Sequence, residues 1–314
     1  MRYSRRLFFA STLLPSLLSA APQAPAGPTF TVEATLTRTR SDGQASKESN
    51  RVELQANDRT ASSRIGGPTT IKLPDGLTMT QMDGNQLDCL LKPNGDGRYL
   101  LQITTTHRHA LDEAQAARLP QRMSPTPVYQ NVVYAGTLIM AAGETVQVSG
   151  MDIVNDQAVH VNITLSAQQP IPQQTAAATP AAAKSVTTQF VVTKADAGKN
   201  TIAVYSVPGT SGITTSLRIG TEIPMAATFP TAAGRPFVFQ IAGSQIDQLV
   251  KPANDGRFTI EHTVTVRTVA AGGQFTRLLG TDTLTLRDGE HGHSSLVDAN
   301  TGATGALEVT VSRN

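Results

Sequence analysis

One stretch of this chain occurs twice, in the same register and without a gap. Residues 84–99 read GNQLDCLLKPNGDGRY, and residues 243–258 read GSQIDQLVKPANDGRF. Both copies keep a leading glycine, a Gln-x-Asp pair, Lys-Pro and Asp-Gly-Arg. Because so long a run indicates an internal duplication, we expect two units of one fold.

Each copy predicts a β-hairpin. Pro93 and Pro252 cannot donate to a ladder, so each is expected to end a strand. The Asp-Gly pairs that contain Gly97 and Gly256 supply the turn. Pairing Lys92 with Arg98, and Lys251 with Arg257, separates an apolar from a polar face in both copies.

This register predicts which side chains are buried. The expected core faces carry Leu87, Leu91, Tyr99 and Ile103 in the first copy, and Ile246, Val250, Phe258 and Ile260 in the second. The polar faces carry Gln86 and Asp88, and their counterparts Gln245 and Asp247. We interpret the repeated polar residues as a structural motif, because duplicated structural positions are commoner than duplicated catalytic ones.

The rest of the chain predicts an all-β protein. Thr, Val, Gly and Ala are abundant, and segments with helical periodicity are scarce. We expect two tandem, similar antiparallel β-sheet or sandwich domains, at residues 29–166 and 186–314. A Pro/Ala/Gln-rich linker, residues 167–185, joins them.

The N-terminus has the composition of a signal peptide, residues 1–21, followed by a flexible lead, residues 22–28. Arg2, Arg5 and Arg6 precede a short, interrupted apolar run that ends in small residues. The adjacent arginines also fit a twin-arginine signal, so both export routes stay open. The expected location is periplasmic or extracellular, with no membrane span after cleavage.

The net charge and the cysteine content limit which partners and which covalent cross-links are expected. The net charge of +2 gives no indication of nucleic-acid binding. Cys89 is the single cysteine, so no intrachain disulfide can form. We expect Cys89 to be a small buried hydrophobe on the apolar face of the first hairpin.

The second unit resembles the C-terminal β-domain of bacterial secretins, the outer-membrane ring proteins of type II and III secretion and type IV pili. The resemblance is carried by short motifs in order: Gly220 to Pro224 (GTEIP), Gly243 to Pro252, Asp255-Gly256, Phe258 to Val266, and Leu284 to Glu290 (LTLRDGE). The first unit matches more loosely. The resemblance implies a shared sheet framework and a place in the cell envelope.

Several features depart from the secretin pattern. There is no room between Pro224 and Gly243 for membrane-spanning and gate strands, and no ring-building domains precede the repeats. Aromatic residues are too few for two membrane girdles. The resemblance therefore implies the framework but not channel activity.

Two His-x-His pairs are the candidate metal ligands, His107 with His109 and His291 with His293. On a strand this spacing puts both imidazoles on one face, as a metal would require. Two ligands seldom hold a metal without a third, so solvated histidines are the simpler interpretation. His262 is expected in the core, and Asp298 in a turn. No cofactor is expected.

Two functional hypotheses follow. The first is an exported, non-catalytic envelope protein that binds other envelope proteins, or itself, through sheet edges. The second is a metal-dependent binding protein or enzyme that uses the histidine pairs. No nucleophile, nucleotide or dinucleotide motif favours catalysis.

Overall fold

The structure is a computed structural model that describes residues 28–57, 59–72, 78–111, 128–168, 184–196, 199–226, 237–253, 255–269 and 275–313. The predicted signal peptide, and nearly all of the lead and the linker, lie outside the described residues. The described residues form sixteen β-strands and no helix, which confirms the all-β prediction.

The first eight strands lie in residues 28–168, here called the first half. Their bounds are β1 Thr29–Arg40, β2 Ala45–Gln55, β3 Ala61–Lys72, β4 Thr78–Gly95, β5 Arg98–Ala110, β6 Tyr129–Ala141, β7 Thr145–Asp152 and β8 Gln157–Ala167. The second half, residues 184–313, contains β9 Ser185–Asp196, β10 Lys199–Thr210, β11 Thr214–Ala226, β12 Phe237–Pro252, β13 Phe258–Val269, β14 Phe275–Leu286, β15 His291–Val297 and β16 Thr304–Arg313.

All sixteen strands belong to one antiparallel sheet, in the order β2-β1-β8-β7-β10-β9-β16-β15-β14-β13-β12-β11-β6-β5-β4-β3. The β14–β15 ladder consists of one pair, Leu279 with Val297. The sheet curves so that its two arms, β2 to β15 and β14 to β3 in this order, face each other: the ring centroids of Phe30 in β1 and Tyr99 in β5 are 4.5 Å apart. The two end strands also approach each other, since Asn50 Nδ2 of β2 donates to the main-chain carbonyl oxygen of Ser63 in β3 at 3.2 Å.

The two halves contribute their strands in matching order. The second half is continuous, from β10 through β9, β16 and β15 to β14, β13, β12 and β11. The first half has the matching order, except that β7 and β6 are separated by the whole second half. Strand β6 pairs instead with β11 over seven residue pairs, and β7 meets β10 at Ser149 and Ser206.

The core lies between the two arms of the sheet. It is built by side chains that alternate along each strand, as in β5 and β8, where every second residue is buried. Leu91 and Leu101, which pair across β4 and β5, are both fully buried. Burying these aliphatic and aromatic side chains stabilises the fold by about 1.5–3 kcal/mol each.

The predicted hairpin faces are confirmed, and the two predicted cross-strand pairings are wrong. All eight expected core residues are buried. However, Lys92 lies opposite Leu100 and Lys251 opposite Thr259, two residues from the expected arginines. A shift of two keeps every side chain on its face, which is why the faces were still right.

The ends of the two hairpins differ. β12 ends at Pro252 as expected, but β4 continues through Pro93 to Gly95. Asp96 and Gly97 both have positive φ, 49° and 71°, so the two strands are joined by a tight turn at these residues. Positive φ suits glycine, which explains the Gly of the repeated Asp-Gly.

The leading glycine of the repeat has a clear steric reason. Gly84 lies opposite Gly66, and Gly243 lies opposite Gly220. A Cβ at Gly84 would sit 2.1 Å from the carbonyl oxygen of Ile65, and one at Gly243 would sit 2.3 Å from that of Ile219. Only glycine permits so close an approach of two backbones.

Candidate functional site

The first histidine pair is split between two environments. His107 is fully buried, and its Nε2 lies 3.0 Å from Thr105 Oγ1. Burial, with the nearby charge of Arg38, lowers the pKa of His107 to about 4. His109 lies at the end of β5, half exposed, 3.7 Å from Glu48 Oε1. The two imidazoles therefore have different roles.

The second pair lies on the outer surface. His291 Nδ1 is 2.8 Å from Glu308 Oε1, and His293 is exposed. Within the described residues, no group of three or more His, Cys, Asp or Glu side chains could hold a metal ion. The two pairs thus lack a described third ligand.

The repeated polar residues make local structural contacts. Gln86 Nε2 donates to Asp88 Oδ2 at 2.5 Å, and Gln245 Nε2 donates to Asp247 Oδ2 at 2.6 Å. The same amide thus holds the same carboxylate on the same outer face in both copies. Neither aspartate is among the residues that line the two cavities described below.

The basic residues of the motif also lie on the outer face. Arg98 donates to the carbonyl oxygen of Ile139 at 3.0 Å and lies 3.2 Å from Glu144. Lys251 lies 2.5 Å from Glu261. Arg257 contacts Asp255 at 2.9 Å. These pairs are partly exposed, so each contributes little to stability.

Two other expected core residues are buried. Cys89 is buried, and burial raises the pKa of its thiol to about 12, so it is an inert thiol at neutral pH. His262 is buried against Phe190 with ring centroids 5.7 Å apart, and burial lowers its pKa. Neither of its ring nitrogens has a hydrogen-bond partner among the described residues.

A buried ion pair marks a cavity in the first half, here called the first cavity. Its volume is about 190 Å³, and it is lined by Arg38, Arg40, Gln44, Ala45, Ser46, His109, Leu111, Gln130 and Gln157. Arg38 is 5% exposed, and its Nη1 donates to Glu48 at 2.6 Å. Burial raises the pKa of Glu48, but the hydrogen bond and charge of Arg38 outweigh it, so the pKa lies below its usual value.

A buried carboxylate lies behind this cavity. Asp152 accepts hydrogen bonds from Gln130 Nε2 at 2.6 Å and Asn155 Nδ2 at 2.7 Å. It also accepts the main-chain amide of Val154 at 3.1 Å. Asn155 Nδ2 also donates to Thr221 of β11 at 2.7 Å, so this network joins the two halves.

A second cavity, of about 450 Å³, is lined by residues of the second half and by Ile153 of the first half. Its lining includes Ile153, Val192, Lys194, Ala203, Tyr205, Ser244, Val266, Thr268, Val269, Thr276, Leu278, Asp298, Thr301 and Ala303. Lys194 Nζ donates to Thr268 Oγ1 at 3.0 Å. The apolar side chains come from both arms of the sheet, so the cavity lies between them.

The two cavities lie in corresponding places. The hairpin repeat aligns His109 with Thr268, and their partners across the next ladder are Gln130 and Thr276.

Arg38 lies opposite Val159, two residues beyond Gln157 in β8. Lys194 lies opposite Gly305, two residues beyond Ala303 in the second half. Arg38 and Lys194 therefore correspond.

Two further correspondences concern acids. Leu36 pairs with Glu48 across β1 and β2, and Val192 pairs with Ala203 across β9 and β10, so Glu48 corresponds to Ala203. The turns after β7 and β15 each begin with an aspartate, Asp152 and Asp298.

Like Asp152, Asp298 binds main-chain amides of its own turn, those of Asn300 at 2.8 Å and Thr301 at 3.1 Å. These bonds, with that from the Arg277 amide, lower the pKa of Asp298. The expected turn at Asp298 is therefore present.

Sequence reasoning did not find these cavities. Apart from Ser244, the residues that line them lie outside the repeated hairpin motif, and corresponding positions of the two halves carry different residue types. Only the strand registers bring Arg38, Glu48 and His109 together. A signal that could have found Asp152 is the Asp-x-x-Asn spacing of Asp152 and Asn155, which is typical of turns.

Models of known protein families and the curated proteins give no match to this chain. No helix in the described part of the chain is long and apolar enough to cross a membrane.

Proposed function

We propose that this chain is an exported, non-catalytic protein of the cell envelope that works by binding another envelope protein, or a second copy of itself, at a sheet edge. Export is supported by the basic, apolar and small-residue order of the N-terminus. Binding is supported by the geometry of strand β3.

Strand β3 is an edge strand whose counterpart is covered. The repeated Arg-Ile-Gly places Ile65 of β3 in correspondence with Ile219 of β11. β11 has two ladder neighbours, β12 and β6, and Ile219 is 1% exposed. β3 has one ladder neighbour among the described strands, β4, and Ile65 is 51% exposed. This difference carries the proposal.

An extended segment of a partner fits such an edge. Unpaired main-chain groups along an edge strand can form a ladder with an added strand, and side-chain contacts give the specificity. The corresponding strand β11 has a second ladder neighbour, β6, which supports the proposal that β3 can accept one. Strand β2 approaches this edge at Ser63: Asn50 Nδ2 donates to the main-chain carbonyl oxygen of Ser63 at 3.2 Å, and Ser63 Oγ donates to Asn50 Oδ1 at 2.8 Å. The described residues of β2 and β3 form no ladder.

The proposal also includes an origin of the chain by internal duplication. Two tandem units that arose by duplication account for the repeated hairpin and the matching strand order. A distant relation to the secretin β-domain would account for the order of the short motifs in the second unit. In that case the chain keeps the sheet framework and has no channel activity.

Fractionation and chemical crosslinking in the native cell test the proposal. We expect the protein in the periplasmic or extracellular fraction, with adducts larger than the single chain. Recovery only in the cytosol would contradict export, and conductance of the purified protein in a bilayer would contradict the non-channel role. One zinc or copper ion per purified chain would instead favour the metal-dependent alternative.

A further inference from the structure

The contact between the two halves joins two unlike edges. Strands β6 and β7 of the first half meet β11 and β10 of the second, through seven residue pairs between β6 and β11 and one pair between β7 and β10. The matching strand order makes β14, β15, β3 and β2 the counterparts of β6, β7, β11 and β10. The two outer edges of the molecule, β2 with β3 at one end and β14 with β15 at the other, are therefore the counterparts of the two edges that meet inside the chain.

We propose that the β14/β15 edge of one copy of this chain binds the β2/β3 edge of a second copy, in the way that the two halves bind within one chain. This inference rests on the strand-edge binding proposed above and names its partner. Because every copy has one edge of each kind, the contact is heterologous and can repeat, so that copies join head to tail.

Exposed apolar side chains mark both edges. Ile65 of β3 is 51% exposed, and Leu279 of β14 and Val297 of β15 are 38% and 44% exposed. Their counterparts at the contact between the halves are buried or half-buried, namely Ile219, Val133 and Met151. Covering these side chains with a second copy removes apolar surface from water, which favours association.

The strand registers indicate which residues of two copies meet. Val133 and Leu279 correspond, because they lie opposite aligned positions of the repeated hairpins. Val133 lies opposite Arg218 in the internal ladder, and the repeated Arg-Ile-Gly places Arg218 in correspondence with Arg64. Arg64 of one copy is therefore expected opposite Leu279 of the next. The ladder then ends at Pro68, a residue that edge strands tolerate.

Few main-chain contacts hold the outer side of β14 within one copy. Among the described residues, its ladder with β15 is the single pair of Leu279 with Val297, and the main-chain amide of Arg277 donates to Asp298 at 3.0 Å. A ladder with β3 exchanges these two contacts for up to seven residue pairs, the number that β6 makes with β11. This exchange favours association.

The bridge from β2 to β3 is compatible with such a ladder. Asn50 Nδ2 of β2 donates to the main-chain carbonyl oxygens of Ser63 at 3.2 Å and Asn85 at 3.3 Å. Tyr205 holds the corresponding place in β10, and its hydroxyl lies 2.6 Å from that of Ser244, the counterpart of Asn85. Strand β11 makes its seven-pair ladder with β6 beside that bridge.

Cysteine crosslinking of the purified full chain tests the proposal. A chain carrying Arg64→Cys is mixed with one carrying Leu279→Cys and oxidised, because cross-strand neighbours lie within disulfide distance. We expect a disulfide-linked dimer from the mixture and none from either chain alone, since Cys89 is buried. Arg218→Cys mixed with Leu279→Cys is the matched control, and it should stay unlinked because β6 covers that position.

Sedimentation of the unaltered chain measures association without any substitution. We expect the mean mass to rise with concentration. Ile65→Lys should raise the dissociation constant by about tenfold or more, the effect of no longer burying one isoleucine. Ile202→Lys replaces an isoleucine that is 57% exposed on β10, away from both edges, and should leave the dissociation constant unchanged.

The outcomes separate this inference from the proposal on which it rests. A chain that sediments as one species at every concentration, or a control that links as well as the test pair, would overturn self-association. So would Arg64→Cys chains that link to one another, because two β3 edges would then meet. In each of these cases, a different protein crosslinked at position 64 in the native cell would leave the strand-edge proposal standing, and no adduct there would end both.

Discussion

Replacing Asp152 by asparagine should lower the free energy of unfolding more than the same replacement of the corresponding Asp298. Asp152 is fully buried and accepts two side-chain amides, from Gln130 at 2.6 Å and Asn155 at 2.7 Å. An asparagine keeps one oxygen for the turn amides, but its NH₂ group would face these two donors. Hydrogen bonds to a charged acceptor contribute about 1.5–3 kcal/mol each, so we expect a loss of about 2–4 kcal/mol after partial relaxation.

Asp298→Asn is the matched control. The second carboxylate oxygen of Asp298 accepts one main-chain amide, from Arg277 at 3.0 Å. One donor faces the new NH₂ group there, so the expected loss is about 1–2 kcal/mol. Urea unfolding followed by far-ultraviolet circular dichroism measures both, since the chain contains no tryptophan. Equal losses, or a loss below about 1 kcal/mol for Asp152→Asn, would refute this reasoning.

Three further predictions follow from the fold. Leu91→Ala should lower the free energy of unfolding by about 2–5 kcal/mol, because the site is fully buried; urea unfolding with a loss below about 1 kcal/mol would contradict the hairpin core. The pKa of His107 is about 4 in the folded protein, below its unfolded value of about 6.5. The contribution of neutral His107 to the free energy of unfolding is therefore complete above about pH 6.5, and about 3 kcal/mol is lost as the pH falls to about 4. His107→Val should flatten this part of the stability–pH curve, and an unchanged curve would disprove it. A protease site placed within residues 169–183 should be cleaved without separating the halves on a sizing column, because β6 and β11 share seven residue pairs; two separate peaks would contradict the shared sheet.

The hairpins were predictable because apolar and polar residues alternate along the strands of the repeat, so the buried face can be identified from the sequence. Leu87, Leu91 and Tyr99 could be assigned to the core without knowing their cross-strand partners. The pairings of Lys92 and Lys251 were each wrong by two residues, because the residue types leave open where the turn is centred, and in both copies it is centred one residue later than predicted. Strand faces are therefore easier to predict than strand registers.

The arrangement of the halves and the cavities was not predictable in the same way. The ladder between β6 and β11 joins strands far apart in the sequence, and neither carries a motif for it. The ion pair of Arg38 with Glu48 likewise depends on where β1 and β2 pair. Ile65 and Ile219 share the local sequence Arg-Ile-Gly but differ in exposure, 51% against 1%, which that local sequence alone does not predict.

Site-specific photocrosslinking in the native cell tests the proposed strand-edge binding most directly. A photoreactive residue at Arg64, exposed on edge strand β3, is compared with one at the corresponding Arg218, exposed on β11 between two neighbours. We predict a discrete adduct of the exported protein from position 64 and little or none from position 218, and Ile65→Lys should reduce that adduct. Equal adducts from both positions, or no adduct from position 64, would contradict partner binding at this edge.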